Sequence, residues 1–171
     1  MSRLLSRRSF GALFTAELVA RPALAGELPV PQERPVLSVS GRIGVHNDGE
    51  VARFDRPMLE ALGTQGFVTS TPWYNGVTRF DGVPMRTLLR SVEASGERVI
   101  ATALNDYTTE IPIADFEQYN VLLALKRDGA YMPVRDKGPL FIVYPFDSDK
   151  RLQRQTYYGR SAWQVSHLVI Q

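Results

Sequence analysis

The stretch that decides the fold reads VLLALKRDGAYMPVRDKGPLFIVYPF and spans residues 121–146. Its first half is an apolar run, then Asp128-Gly129, then a second short apolar segment. This order is typical of two antiparallel strands joined by a tight hairpin turn. The run at 138–146 is the most apolar of the chain and predicts a strand in the centre of a sheet. The segment therefore predicts a β core.

The segments on either side extend the β pattern and add short helices. Alternating apolar and polar residues predict strands at 36–43, at 51–54, on both sides of Asn105-Asp106 within 98–113, and at 161–170, the last with or without a short helical start. Turns are predicted at 46–50, Asn75-Gly76 and Asp81-Gly82, and helices after Asp55, from 85 to a stop at Gly96, and at 114–119. Strands and helices do not alternate regularly, so the fold class is α+β, with a mainly β mixed-sheet core and a few short helices.

Composition bounds the class of protein. The chain has 171 residues, 44% hydrophobic and 22% charged, which suits one soluble domain. It contains no cysteine, so disulfides, thiolate-bound metals and cysteine nucleophiles are excluded. Beyond the N-terminus, no segment approaches the roughly 20 apolar residues that a membrane span needs. We therefore expect no transmembrane segment in the mature chain.

The basic character of the chain lies at its N-terminus. Residues 1–25 hold four arginines and one glutamate, whereas the remainder has 16 basic and 17 acidic residues. This distribution argues against a nucleic-acid partner. A basic start, an apolar stretch and Ala23-Leu24-Ala25 predict an export signal at 1–25, and Ser6–Phe10 resembles the twin-arginine signal. The alternative is an amphipathic helix that stays attached. We expect a linker at 26–35, a domain at 36–171, and a periplasmic or otherwise exported product.

Few residues carry recognisable chemistry. The two histidines lie far apart in sequence, and the Gly-x-Ser-x-Gly, Gly-x-Gly-x-x-Gly and phosphate-loop motifs are absent. One group of cations surrounds the predicted hairpin and the segment beyond it: Lys126, Arg127, Arg135, Lys137, Arg154 and Arg160. They either gather around an anion such as a phosphate or form a solvated hairpin balanced by Asp128 and Asp136. Asn105, Asp106 and Tyr107 either line a pocket or form an ordinary turn.

Four stretches together resemble the molybdopterin-binding domain of the sulfite oxidase family, over residues 36–171. They are VLSVSGRI, TPWYNGVTRFDGVPMRTLL, the run from ALNDY to FIVYP, and YYGRSAWQVSHLVI. The resemblance implies that family's fold, a small exported oxidoreductase-like protein, and molybdopterin (the molybdenum cofactor) as its cofactor. The cofactor-binding candidates it implies are Thr69, Ser70, Thr71, Trp73, Asn105, Asp106, Arg135, Lys137 and Arg160.

The chain departs from the family pattern at three places. The family binds molybdenum through one cysteine in the loop that reads VTSTPW here, where Thr69 stands nearest to that position and Ser70 is the alternative in register. A hydroxyl has a far higher pKa than a thiol and is a poor replacement for a thiolate ligand. The family's Arg-Asn-His arm before the first strand is missing, and Phe141 stands where an arginine often follows Gly-x-Pro-Leu.

Two functional hypotheses follow. The first is a molybdopterin-binding oxidoreductase-like protein in which no residue of this chain is bonded to the metal. The second is a metal-free periplasmic module on the same fold that binds a ligand or a protein. The expected partner is a small anionic ligand or a periplasmic redox or protein partner. No catalytic residue is assigned.

Overall fold

The computed structural model describes residues 28–171, so the predicted export signal lies outside the described residues. The strands of this part are β1 (Leu37–Gly41), β2 (Ala52–Phe54), β3 (Gln65–Thr71), β4 (Tyr74–Pro84), β5 (Arg98–Ala103), β6 (Thr108–Pro112), β7 (Leu122–Arg127), β8 (Ala130–Tyr131), β9 (Phe141–Val143) and β10 (Val165–Ile170). The α-helices are α1 (Arg56–Ala61), α2 (Met85–Ser91), α3 (Ile113–Gln118) and α4 (Gln155–Arg160). The predicted α+β class, dominated by strands, is confirmed.

The strands form two sheets that share one apolar core. The first sheet has the order β2-β1-β10-β5-β6, and the second has the order β3-β4-β7-β8, with β9 also paired to β7. Only the β1–β10 pair is parallel among the described pairs. One cluster of buried side chains includes Val39 and Leu168 of the first sheet, Phe80 and Leu123 of the second, and Leu88 of α2. No helix in the described part is long and apolar enough to cross a membrane.

Asp55 anchors the start of the domain. Its Oδ1 accepts a hydrogen bond from the Met58 amide at 2.9 Å, which confirms it as the N-cap of α1. Its Oδ2 accepts from the amides of Gln32 and Glu33 at 2.7 and 2.9 Å. Burial alone would raise the pKa of Asp55, but these backbone donors together lower it. Residues 28–35 form no helix or strand. The bonds from Gln32 and Glu33 to Asp55 nevertheless hold this segment against the domain.

The predicted hairpin after residue 121 is confirmed. Strands β7 and β8 pair through Lys126 with Tyr131 and through Arg127 with Ala130. Asp128 and Gly129 between them have φ values of 49° and 82°. Two successive positive φ angles are the geometry of the tight hairpin turns for which Asp-Gly is favoured.

The predicted central position of the 138–146 strand is wrong. Strand β9 has three residues and pairs with β7 alone. On its other side it has only an isolated bridge between Phe141 and Trp163. Pro139 and Pro145 lack an amide hydrogen, so the ladder cannot extend far in either direction. The run is apolar because all of its residues from Leu140 to Phe146 are buried. The most central strand of the first sheet is instead β10.

Two predicted turns lie inside strand β4. The hairpin turn between β3 and β4 is Pro72-Trp73, and Asn75-Gly76 fall where the register shifts between the Ser70–Val77 and Thr71–Tyr74 pairs. A second register shift, opposite β7, lies at Asp81-Gly82. A Cβ atom at Gly82 would meet the Leu123 carbonyl oxygen at 2.1 Å. Glycine is thus required there for a β-bulge and a close backbone approach, and not for a turn.

Helix α2 ends earlier than predicted. It stops at Ser91, five residues before Gly96, and Glu93 then adopts a left-handed conformation with φ 50°. The apolar face predicted for it is confirmed, because Leu88, Leu89 and Val92 are buried. The chain turns toward β5 directly after these buried residues.

Candidate functional site

A pocket of about 350 Å³ opens beside the β3–β4 turn. The β5–β6 turn, helix α4 and the segment leading into β10 form its other walls. Its lining residues are Pro72, Trp73, Asn105, Tyr107, Gln155, Tyr158, Gly159, Ser161 and Trp163. The volume lies at the small end of the range for pockets that hold small organic ligands.

The apolar wall of this pocket is a packed group of aromatic rings. The Trp73 ring meets the Trp163 ring edge-on, with centroids 5.4 Å apart, and the Phe141 ring at 5.5 Å. Tyr158 and Phe146 complete the group at 6.0 and 6.1 Å from Trp73. Edge-to-face contacts of this kind fix ring orientations. The wall is therefore formed before any ligand arrives.

The polar rim of the pocket is uncharged. The Tyr107 hydroxyl donates to the Gly159 carbonyl at 3.0 Å, which ties the β5–β6 turn to α4. The Asn105 Oδ1 accepts from the Tyr107 amide at 3.3 Å. The side-chain amide nitrogens of Asn105 and Gln155 make no hydrogen bond within residues 28–171. The rim can therefore donate to a ligand without supplying charge.

The three hydroxyls ahead of the pocket hold the backbone in place. Thr69 is fully buried; its Oγ1 donates to the Ser70 carbonyl at 3.2 Å and accepts from the Asp147 amide at 3.0 Å. The Ser70 hydroxyl and amide both donate to the Asp147 carboxylate. These bonds lower the pKa of Asp147. Thr71 Oγ1 accepts from the Trp73 amide at 3.4 Å, within the turn.

Two of the hairpin cations are paired with acids. Lys126 bonds to Glu60 at 2.8 Å, and Arg127 to Asp136 at 2.8 Å. Arg127 also lies 4.4 Å from the ring of Tyr74, whose burial raises its pKa to about 12. The predicted balance by Asp136 is thus found for Arg127, whereas the partner of Lys126 lies outside the hairpin, on α1. Within the described residues, the six cations of the sequence analysis do not converge on one anion-binding site.

Arg160 is committed to a second acid. Its guanidinium donates to Asp115 Oδ2 at 2.8 Å, and the same oxygen accepts from the Tyr144 hydroxyl at 2.7 Å. Burial, then the bond to Asp115, raises the pKa of Tyr144. Arg160 also lies 5.5 Å from the Tyr157 ring. It is a structural ion pair between α4 and α3, and it does not line the pocket.

The structure brings only part of the predicted site together. Trp73, Asn105 and Tyr107 line the pocket. The Lys137 ammonium lies 5.2 Å from the centroid of the Trp163 ring. Asp106 is exposed in a left-handed turn, and Arg135 is exposed in a 3-10 turn; neither lines the pocket. The cofactor-binding roles of all these residues stay predictions.

Sequence reasoning missed the far wall of the pocket. Gln155, Tyr158, Gly159, Ser161 and Trp163 come from one short segment, QTYYGRSAW. Two adjacent tyrosines, a glycine and a tryptophan within nine residues are typical of an aromatic ligand wall. That signal was sufficient to nominate the segment, whereas the partner wall is almost ninety residues earlier.

The residues present do not fit a protein–molybdenum bond. The Thr69 hydroxyl is buried with both a donor and an acceptor partner, so ligation would break these bonds. The aromatic wall and uncharged rim do fit a flat heterocycle such as a pterin ring.

Comparison with known proteins covers one side of the pocket but not its wall at 155–163. No curated protein matches this chain. Residues 55–147 match the family described as "Oxidoreductase molybdopterin binding domain". This range runs from the N-cap of α1 to Asp147 and includes the β3–β4 turn, Asn105 and the β7–β8 hairpin. The chain therefore belongs to the oxidoreductase molybdopterin-binding domain family, the family of sulfite oxidase.

Proposed function

We propose that this chain is a ligand-binding member of its family, which holds a flat heterocycle of the pterin class in the Trp73–Trp163 pocket and makes no bond of its own to molybdenum. The observation that carries the proposal is the state of Thr69. This residue stands nearest to the position where the family resemblance implies the metal ligand, with Ser70 as the alternative in register, and its hydroxyl is buried and bonded to Ser70 and Asp147. Ligation of a metal ion by Thr69 or Ser70 would break these hydrogen bonds to Asp147.

The pocket itself supports a flat and largely uncharged ligand. Trp73, Tyr158 and Trp163 present ring surface, and stacking on such rings contributes about 1–3 kcal/mol per heterocycle. Asn105 and Gln155 supply amide groups whose paired donor and acceptor atoms suit the N–C=O edge of a pterin. No cation lines the pocket among the described residues. The ring, and not a phosphate, is therefore the recognised part.

The intrinsic fluorescence of the protein tests the proposal. The chain has two tryptophans, Trp73 and Trp163, and both border the pocket. Titration with 6-hydroxymethylpterin in a chelator-containing buffer should therefore quench tryptophan emission in a saturable manner. Trp163→Leu and Asn105→Ala should each weaken binding about tenfold, since each removes about 1.4 kcal/mol of stacking or hydrogen bonding.

Tyr131→Leu is the matched control, because Tyr131 is an exposed aromatic residue outside the pocket. The Tyr131→Leu variant should bind 6-hydroxymethylpterin with the affinity of the wild type. Quenching that is linear up to the solubility limit would contradict the proposal. So would an affinity that the Tyr131 and Trp163 substitutions lower equally.

We further propose that the mature chain acts in the periplasm after twin-arginine export. The basic start, the apolar stretch and Ala23-Leu24-Ala25 support this assignment. Export of a prefolded protein suits a ligand that is acquired before crossing the membrane. Cell fractionation and N-terminal sequencing should give a periplasmic protein that begins at Gly26. Retention in the cytoplasm, or export that survives Arg7→Lys with Arg8→Lys, would contradict this route.

A further inference from the structure

A second cavity, of about 560 Å³, lies apart from the aromatic pocket. It is bordered by the segment before β1, the β2–α1 junction, the β5–β6 turn and the start of β10. The two cavities share no lining residue. Their ligands can therefore differ in kind.

Three arginines line this second cavity. Arg34, Arg53 and Arg56 share the lining with one acid, Glu33, among the described residues. The formal charge of the lining is thus +2 with His167 neutral, or +1 once the ion pair of Arg53 with Asp48 is included. A guanidinium presents a fixed fork of donors that matches the two oxygens of a carboxylate or a phosphate. The charge of the cavity selects anions.

The arginines differ in what they already bind. Arg53 is held by Asp48 and lies 3.4 Å from the Ser38 hydroxyl, so it shapes the wall. Arg56 lies over the Tyr131 ring at 4.9 Å, a contact that leaves its charge in place. Glu60, one turn further along α1, is bonded to Lys126 and Tyr131. Arg34 forms no ion pair within residues 28–171.

A β-bulge adds two polar side chains to the same cavity. Successive residues of a regular strand point to opposite faces of the sheet. The register of β10 against β5 shifts between Val165 and His167, and both Ser166 and His167 then line the cavity. The Ser166 hydroxyl lies 2.8 Å from His167 Nδ1. Bulges of this kind recur beside functional sites because they re-aim side chains.

The remaining wall is apolar and open. Leu104 and Val134 are 52% and 51% exposed, respectively, and both line the cavity beside Pro139. Large apolar side chains exposed at a concave, basic surface are typical of a ligand site. The cavity thus joins a cationic end to an apolar face.

We propose that this cavity is a second binding site, for a small organic anion that carries a carboxylate or phosphate group on an apolar body. Arg34 and Arg56 hold the anionic group, the Ser166–His167 bulge contributes polar contacts, and Leu104 and Val134 cover the body. The site is independent of the pterin-class pocket, and neither site requires the other.

Calorimetric titration of the full chain with four probes tests this site. Benzoate and phenyl phosphate carry both parts, inorganic phosphate carries the charge alone, and benzyl alcohol carries the body alone. We expect at least one of the first two to bind at least tenfold more tightly than inorganic phosphate and benzyl alcohol. Comparison of benzoate with phenyl phosphate identifies the anionic group.

Arg34→Gln and Arg56→Gln should each weaken binding of the preferred probe about tenfold. The matched control is Arg86→Gln, because Arg86 also lies in the first turn of a short helix but outside this cavity. Circular dichroism melts of each variant check the fold. Three results would overturn the proposal: no probe binds at millimolar concentration, phosphate or benzyl alcohol binds as tightly as the preferred probe, or binding survives the double Arg34→Gln, Arg56→Gln variant.

Discussion

The hydroxyl of Thr69 accepts a hydrogen bond from the backbone amide of Asp147 at 3.0 Å, and so joins strand β3 to the segment after β9. The two residues are 78 positions apart in sequence. The neighbouring Ser70 returns the contact by donating to the Asp147 carboxylate. In this chain, the position nearest to the metal ligand that the family resemblance implies therefore forms hydrogen bonds that join two segments of the fold.

Replacement of Thr69 tests this structural role. Thr69→Val preserves shape but leaves the Asp147 amide without its acceptor, so it should lower the free energy of unfolding by about 1–2 kcal/mol. Urea denaturation measures the loss. Thr109→Val is the control, since Thr109 is partly exposed on β6 and its hydroxyl makes no hydrogen bond within the described residues. A loss of equal size in both variants would contradict the role given to Thr69.

The pH dependence of stability tests the Ser70–Asp147 contact. Donation from Ser70 lowers the pKa of Asp147 in the folded state below its ordinary value of 3.8. The stability that this carboxylate contributes is therefore complete above pH 3.8 and is lost as pH falls through the lowered value. Asp147→Asn should be less stable than the wild type at pH 7, by about 1 kcal/mol or less because the site is exposed.

The difference in unfolding free energy between wild type and Asp147→Asn should vanish in acid. Urea denaturation curves, extrapolated to zero urea at each pH, measure this difference. Asp106→Asn serves as the control, because asparagine also tolerates the left-handed backbone at that exposed turn. A stability difference for Asp147→Asn that stays constant from pH 7 to pH 3 would refute the contact.

Arg160 should matter for stability and not for ligand affinity. The side chains of Arg160 and Asp115 are 23% and 11% exposed, so Arg160→Gln leaves a mostly buried carboxylate without its cation. We expect a loss of about 2 kcal/mol, between the values of exposed and fully buried pairs. Pterin affinity should stay within about twofold, since Arg160 does not line the pocket.

Arg135→Gln is the control for this prediction, because Arg135 is exposed and removal of its charge should change stability by less than about 0.5 kcal/mol. A strong loss of affinity in Arg160→Gln, with stability unchanged, would instead favour a direct ligand contact for this arginine.

Two glycines offer a matched pair of tests for the backbone. An alanine Cβ at Gly82 would lie 2.1 Å from the Leu123 carbonyl oxygen, so Gly82→Ala should cost about 2–3 kcal/mol of stability. Gly159 lies in α4 with no atom within 4 Å of the added Cβ. Gly159→Ala should therefore raise stability by up to about 1 kcal/mol through helix propensity. Thermal melts that rank the two variants in the opposite order would contradict the bulge.

Local sequence signals predicted the parts of the fold that local geometry determines. Asp128-Gly129 supplied the positive φ angles of the hairpin turn, and Asp55 the cap of α1. The same composition misled at Asp81-Gly82, where the glycine admits a neighbouring strand. Dipeptide composition cannot separate a turn from a bulge, because both use the conformational freedom and small size of glycine.

Contacts between residues that are far apart in the chain could not be predicted from the sequence. The apolar run at 138–146 reported burial correctly, but burial does not reveal how many strands pair with β9. Arg160 was grouped with the hairpin cations, whereas its partner Asp115 lies 45 residues away. Three of the nine pocket residues, Trp73, Asn105 and Tyr107, were predicted, whereas the other wall comes from a distant segment that only tertiary packing brings close.

The most direct test of the central claim is the molybdenum-to-protein ratio of the full chain and its Thr69→Val variant, purified side by side from molybdenum-replete cells. If Thr69 supplies no metal ligand, the two ratios should be equal, whatever amount of metal a bound cofactor carries. A ratio near one in the wild type that falls sharply in Thr69→Val, while the variant remains folded, would contradict the account.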